Sequence, residues 1–276
     1  VILNAKNKTV KVSQCIVPFL ASIALNNILP LRAGDVSRAI IFPKRMNIER
    51  SQATASLIIE RMLDLVTLIF YLFISLIFIR PHELPDGLLD LMIFATLILI
   101  FSLLFLMFLS KKTMQLVSHF SDFMHFKGHK LLPKIFIFLN AILCSIDRTL
   151  NFKTNMVIIV MSVFVWMGEI GLFYFLLVGS GSGIGIKAAI LITAIGSLST
   201  LIPAAPGYFG TFHLAIIISI GLLDKQTIDP ISLAIILHTV LWVYTTLPGL
   251  LAMLLVPRVL KNKMNTSIFG KKNENL

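Results

Sequence analysis

Apolar residues run along this chain in long unbroken stretches. They show neither the alternation of a half-buried strand nor the one-sided stripe of a soluble helix. Four stretches, Leu57 to Ile79, Leu88 to Leu109, Met156 to Val178 and Ser232 to Val256, reach the roughly 20 residues that a helix needs to cross a bilayer. Three more, Cys15 to Pro30, Ala188 to Pro203 and Phe212 to Leu223, stop short or are interrupted by proline and polar residues. The pattern predicts an all-α, polytopic integral membrane helix bundle.

The polar segments between these runs differ in charge. "PKRMNIER" (43 to 50), the long connection from 110 to 155 and the tail after Val256 are rich in Lys and Arg. "RPHELPDG" (80 to 87), "GSGSGIG" (179 to 185) and "DKQTIDP" (224 to 230) carry little positive charge, and the positive-inside rule places them outside. With 179 to 185 and 224 to 230 on one side, the chain between them must enter and return, as two half-length helices joined at "PAAPGYFG" would. The run from Val12 to Ile41 lies between basic "KNKTVK" and "PKR" and reads as a second hairpin, broken at "LPLRAG". Two re-entrant broken-helix hairpins of opposite orientation are therefore expected, the arrangement from which inverted-repeat transporters build midplane sites. Within the 110 to 155 connection, "TMQLVSHFSDFMHF" and "KIFIFLNAILCSIDR" read as amphipathic helices lying on the cytoplasmic surface.

Composition supports the membrane reading. Hydrophobic residues make up 57% of the chain and charged residues 13%, with a mean hydropathy of +0.92, against roughly 25% charged in soluble domains. The net charge of +11 is read as orienting loop charge, and no nucleic-acid partner is expected. Cys15 and Cys144 have no CxxC spacing and read as free thiols. The opening "VILNAKNKTVKV" has no initiator Met and no signal-peptide order, so a fragment is expected. Residues 1 to 256 read as one membrane domain and 257 to 276 as a basic cytoplasmic tail.

Few residues carry candidate chemistry. In "NNILPLRAGDVSRA" (26 to 39), Asn26, Asn27 and Pro30 break a helix close to Arg32, Asp35 and Arg38. The arginines are either topological loop charges or forks for phosphate oxygens in a polar cavity. "IIERMLD" sets Glu60 and Asp64 on one helix face with Arg61 three residues before Asp64, which makes an internal salt bridge available. This trio is either a snorkelling pair cluster or part of the same site. Glu169 lies deep in an apolar run, where a carboxylate needs a partner or a proton. "PAAPGYFGTFH" (203 to 213) supplies Pro206, Gly207, Tyr208, Gly210 and His213 around a helix restart able to bind anions. His238 reads as a packing residue. His119, Asp122, His125 and His129 do not converge as metal ligands, and no motif calls for a metal or another cofactor.

These three motifs, in this order and spacing, resemble the flippase-like membrane domain of lysylphosphatidylglycerol synthases and its stand-alone relatives, over roughly residues 12 to 256. The resemblance implies a multi-pass protein of a bacterial or archaeal cytoplasmic membrane, related to domains that move lipids between leaflets, with about two helices before Val1. It also implies a glutamate where His213 stands and a glycine where Tyr208 stands, two departures of this chain. Nothing like the soluble aminoacyl-transferring domain follows, so lysyl transfer is not expected of this chain.

The expected function is translocation of a membrane lipid or lipid-linked precursor whose anionic headgroup binds Arg32, Arg38 and Arg61. The expected partner is an anionic phospholipid, a glycolipid or a polyprenyl-phosphate-linked substrate, with a lipid-modifying enzyme as a possible companion. Two alternatives stay open: an enzyme or accessory subunit of lipid glycosyl transfer using Glu60 or Asp64, and a scaffold whose polar groups lock helix packing.

Overall fold

The computed structural model describes residues 12–46, 48–79, 132–149, 152–201, 205–223 and 229–270, with 87, 94, 97, 101 and 115–119 between them. Every regular element among the described residues is helical: α1 (Val12–Ile28), α2 (Ala33–Ile40), α3 (Pro43–Met46), α4 (Arg50–Ile79), α5 (Leu132–Thr149), α6 (Phe152–Gly179), α7 (Ile186–Thr200), α8 (Thr211–Gly221) and α9 (Pro230–Gly270). A 3-10 turn, Pro206–Tyr208, precedes α8.

Among the described residues, three helices are long and apolar enough to cross a membrane: Arg50–Ile79, Met156–Gly179 and Pro230–Leu254. They match three of the four predicted spans. The fourth, Leu88 to Leu109, falls almost wholly outside the described residues, as does most of "TMQLVSHFSDFMHF". Two boundaries differ from expectation. Helix α4 starts at Arg50 and not at Leu57, because the polar turn "RSQATAS" carries helix formers and no breaker. Glu60 therefore lies about 15 Å into the helix at ~1.5 Å per residue. Helix α9 likewise runs past Val256 to Gly270, taking in much of the expected tail.

The core is a chain of apolar clusters linked through α7. Phe173 and Leu177 of α6, Ile192 of α7, Phe212 and Ile216 of α8, and Leu237 of α9 are fully buried together. On the other side of α7, Leu191 and Ala194 pack with Tyr71, Leu72 and Leu76 of α4 and Ile170 of α6. A 15-residue helix apolar on all faces finds an apolar neighbour in every direction, which is what such a pattern demands. Helix α5 packs on α4 through Ile142 and Ile146 against Ala55 and Ile59. It is held by the bundle on one face while Ile135, Phe138 and Leu139 point outward.

Helices α1 and α9 approach closely. A Cβ at Gly249 would stand 2.3 Å from the Leu20 carbonyl oxygen and 2.5 Å from Ala24 Cβ. The start of α2 sits as tightly on α1, where a Cβ at Gly34 would meet Ser22 O at 1.8 Å. The outward faces carry Phe70, Ile77, Phe164, Phe175, Leu247 and Leu254, an apolar coat suited to lipid.

Candidate functional site

The first helix break is made by Pro30. Proline disfavours helical backbone at the residue before it, and α1 ends at Ile28, just before Leu29 and Pro30. Leu31 and Arg32 then both take left-handed backbone, with φ of 58° and 53°. Each such residue costs roughly 1–2 kcal/mol, so the turn depends on its contacts. Arg32 supplies them by donating Nε and Nη2 to the Thr200 main-chain oxygen at the end of α7. Its guanidinium lies 5.9 Å from the Tyr208 ring centre. Asn26 and Asp35 close the hairpin by exchanging hydrogen bonds: Asn26 Nδ2 donates to Asp35 Oδ1, and the Asp35 N–H donates to Asn26 Oδ1, both at 3.0 Å.

Against this break α4 presents a network of alternating charge. Arg38 Nη2 donates to Glu60 Oε2 at 2.8 Å, and Arg61 Nη2 donates to Glu60 Oε1 at 2.8 Å. Arg61 also reaches Asp64 at 3.2 Å. Its buried Nε stands 3.6 Å from Asp35 Oδ2 without a hydrogen-bond partner. Arg32 Nη1 lies 3.7 Å from the same Asp35 oxygen. Three arginines thus face three carboxylates, tightly at Glu60 and loosely at Asp35. Trp166 of α6 donates its indole N–H to Asp64 at 3.3 Å.

The second break holds three left-handed residues, Gly207, Tyr208 and Gly210, with φ of 65°, 61° and 91°. Glycine takes this region freely, but a tyrosine there is strained by roughly 1 kcal/mol or more, which gives the departure at Tyr208 a physical meaning. Two histidines brace the turn. His238 Nε2 is 2.8 Å from the Gly207 oxygen, His238 Nδ1 is 3.4 Å from His213 Nε2, and the Gly210 N–H donates to His213 Nδ1 at 3.4 Å.

The two breaks meet. Trp242 of α9 donates its indole N–H to the Asn27 oxygen at 3.3 Å and packs against Gly207. Asn27 in turn donates to Thr245 and Thr246 at 2.8 Å each. Between them, α4 and α6 lies a cavity of about 430 Å³. Its wall includes the charged Arg32, Glu60, Arg61 and Asp64 together with Glu169, Ser197, Gly207, Tyr208 and His238. Glu169 accepts a 2.9 Å hydrogen bond from Ser197 Oγ of α7. The sequence leaves open whether Glu169 takes a partner or a proton; the structure supplies a hydroxyl partner.

Of the residues singled out from sequence, Asn27, Arg32, Glu60, Arg61, Asp64, Glu169, Gly207 and Tyr208 line this one cavity. Asp35 and Arg38 stand behind it as counter-ions, Arg38 buried with its guanidinium over the Phe19 ring at 5.5 Å. Pro206 and Gly210 are exposed on the turn, and His213 reaches the cavity through His238. The sequence reading missed Trp166, Ser197 and Trp242, and took His238 for a packing residue. The chain has only two tryptophans, and both line the cavity; that scarcity was the available signal.

The family model for the lysylphosphatidylglycerol synthase TM region matches residues 1–249. The chain is also 24% identical over 249 residues to a UPF0104 membrane protein of Methanocaldococcus jannaschii, covering 87% of this chain and 98% of that relative. No solved structure matches it. With three of its described helices able to span a bilayer and a match over nearly all its length, the chain is a membrane protein that belongs to the family of the lysylphosphatidylglycerol synthase transmembrane region.

Proposed function

We propose that this protein moves a lipid or lipid-linked precursor between leaflets of a cytoplasmic membrane, with the headgroup passing through the cavity between the two helix breaks. The observation that carries this reading is a cavity with a charged and hydroxyl-bearing wall inside helices whose outer surfaces are apolar. A headgroup crossing a bilayer must exchange its water for fixed polar partners, since an unpaired phosphate in low dielectric is prohibitively costly. Its acyl chains need no such help.

The hairpins α1–α2 and α7–α8 are read as re-entrant from opposite faces. Supporting this, α7 and α8 have 15 and 11 residues, about 22 and 16 Å at ~1.5 Å per residue, short of a core of roughly 30 Å. Broken backbone at depth is tolerated only where it is covered by protein or lines a wet cavity, and both breaks border this one.

Charge balance refines the headgroup site. The network already matches three arginines with Asp35, Glu60 and Asp64, so an anion must displace a carboxylate from an arginine. Arg32 is the one most easily freed from its carboxylate: it faces the cavity, and its contact with Asp35 is the loosest at 3.7 Å. Arg61 offers the second position. Arg38, held by Glu60 behind the wall, positions Glu60 and does not touch the headgroup.

The test is reconstitution into liposomes carrying a panel of labelled anionic phospholipids, glycolipids and polyprenyl phosphates, with an impermeant quencher reporting the outer leaflet. Protein-dependent quenching beyond the outer-leaflet half for at least one lipid is expected. Its absence across the panel, together with turnover that depends on a sugar nucleotide or a divalent metal, would favour a transferase instead.

A further inference from the structure

We propose that His213 and His238 form a single proton-controlled latch that holds the 207–210 turn in place when neutral and releases its Gly210 end when one proton is added. The latch stands on the geometry alone; its role in opening the headgroup path rests on the translocase reading above.

The argument is a count of protons along a closed chain of contacts. At one end is the Gly207 carbonyl, which can only accept. At the other is the Gly210 N–H, which can only donate. Two imidazoles lie between them, giving three contacts: Gly207 O to His238 Nε2 at 2.8 Å, His238 Nδ1 to His213 Nε2 at 3.4 Å, and His213 Nδ1 to the Gly210 N–H at 3.4 Å. All three are satisfied when each ring carries one proton, on Nε2. His238 then donates to the carbonyl, His213 donates to His238, and Gly210 donates to His213. A third proton has no place. Wherever it sits, and whichever tautomers the rings adopt, one contact must set two N–H groups against each other.

The contact that gives way is at Gly210. The carbonyl contact is the shortest and gains strength when the ring donating to it is a cation. Phe212 also stacks its face on His238 at 4.9 Å, and an aromatic face attracts a cation. The Gly210 contact is long and lies at the exposed end of the turn. Its loss frees the N–H of a residue at φ 91°, at the first turn of α8. The turn it would release is the one that Trp242 and Asn27 hold against the cavity.

The groups that face the pair from neighbouring elements do not supply an alternative proton site on the turn. Glu169 of α6 shares the cavity wall and is bonded to Ser197 of α7. Tyr208 belongs to the turn itself, with Arg32 from the α1–α2 break beside its ring. Helix α1 presents the uncharged Asn27, and α8 carries no titratable side chain besides His213.

The test uses Trp242 as the reporter. In the Trp166→Phe protein it is the sole tryptophan, and its ring borders Gly207. Purified in nanodiscs and titrated from pH 8 to pH 5, the range in which imidazole changes charge, its emission should shift in one reversible step. Amide exchange of 207–212, corrected for intrinsic rate, should quicken at least about tenfold across the same step, the amount expected for about 1.4 kcal/mol of lost protection. His213→Asn and His238→Asn should each abolish the step, and Glu169→Gln should retain it. If His238→Asn does not fold, His213→Asn decides alone. A step that persists without either histidine, that vanishes in Glu169→Gln, or that is missing from the parent protein overturns the latch. Translocation that ignores the pH range in which Trp242 titrates overturns its gating role. If no lipid moves at any pH, the translocase reading fails while the fluorescence step still upholds the latch.

Discussion

Trp242 donates its indole N–H to the main-chain oxygen of Asn27 across 3.3 Å, so one side chain of α9 joins the end of α1 to the Gly207 turn. Two interruptions more than 170 positions apart in sequence become neighbours through this contact. The same ring would be 3.0 Å from a Cβ placed on Gly207.

Gly207→Ala is therefore expected to disrupt the junction on two counts. The backbone sits at φ 65°, and the new methyl would meet Asn27 O and Trp242 Nε1 at 3.0 Å each. A loss of about 1–3 kcal/mol is expected from the backbone alone, read as a lower midpoint in thermal unfolding of detergent-purified protein. An unchanged midpoint would mean that the turn has another conformation.

Gly249→Ala tests the seam between α1 and α9. The methyl would fall 2.3 Å from the Leu20 oxygen, which is main chain and can move only if the whole helix moves. Overpacking of this kind costs about 1–3 kcal/mol. Alanine is the better helix former by roughly 1 kcal/mol, so a fall in the unfolding midpoint of Gly249→Ala reports the clash and not a weakened helix.

Arginine shape separates headgroup binding from charge alone. Arg32→Lys is expected to reduce translocation at least about tenfold, since a lysine cannot reproduce the fork that spans Thr200 O and an incoming phosphate. Arg38→Lys should leave a larger share of translocation and instead lower thermal stability, because it loses the 2.8 Å contact to Glu60 and the stack on Phe19. Equal, full activity of both variants with unaltered topology would remove the phosphate-site idea.

The re-entrant reading predicts that the connections 179–185 and 224–230 share the outer side of the membrane. Single cysteines at Ser182 and Gln226, in a protein lacking Cys15 and Cys144, should both react with an impermeant thiol reagent added to intact cells. Reaction at only one of them would make α7 and α8 a spanning pair.

Asp229 caps α9, accepting from the Ile231 N–H at 3.1 Å and from the Ser232 N–H at 3.3 Å. The Ser232 hydroxyl, then these amides, hold its carboxyl below the usual value. A carboxylate lowered in the folded state stabilises above its unfolded value of about 3.9 and loses that contribution as pH falls through the folded one. Asp229→Ala should thus lower the unfolding midpoint at pH 7, and the difference from the parent protein should shrink on acidification below pH 4.

What could be read from sequence was local. Arg61 and Asp64 are three residues apart on one helix, so their pairing follows from spacing. Pro30 and the Pro206–Gly207–Gly210 set announce breaks through backbone chemistry that does not depend on the rest of the chain. The difference between Arg32 and Arg38 was not legible, because it turns on tertiary partners: Arg38 reaches Glu60 of α4 while Arg32 reaches the Thr200 oxygen of α7. Nor were the roles of Trp166, Ser197 and His238. They sit on helices that are apolar all round, where periodicity identifies no inward face, and only the packing of α6, α7 and α9 shows which residues look into the cavity.

The position of α7 has a consequence for how the protein is made. Its 15 residues form a rod of about 22 Å at ~1.5 Å per residue, too short to rest across a bilayer on its own, and Leu191, Ile192 and Ala194 are buried against α4, α6 and α8 on different sides. During synthesis α4 and α6 emerge first and can settle in lipid independently, but α7 has no stable place until they are paired and α8 has followed. Assembly of the bundle around α7 is thus a late event in biogenesis, and a nascent chain halted between Thr200 and Thr211 would hold a helix that lipid alone does not keep.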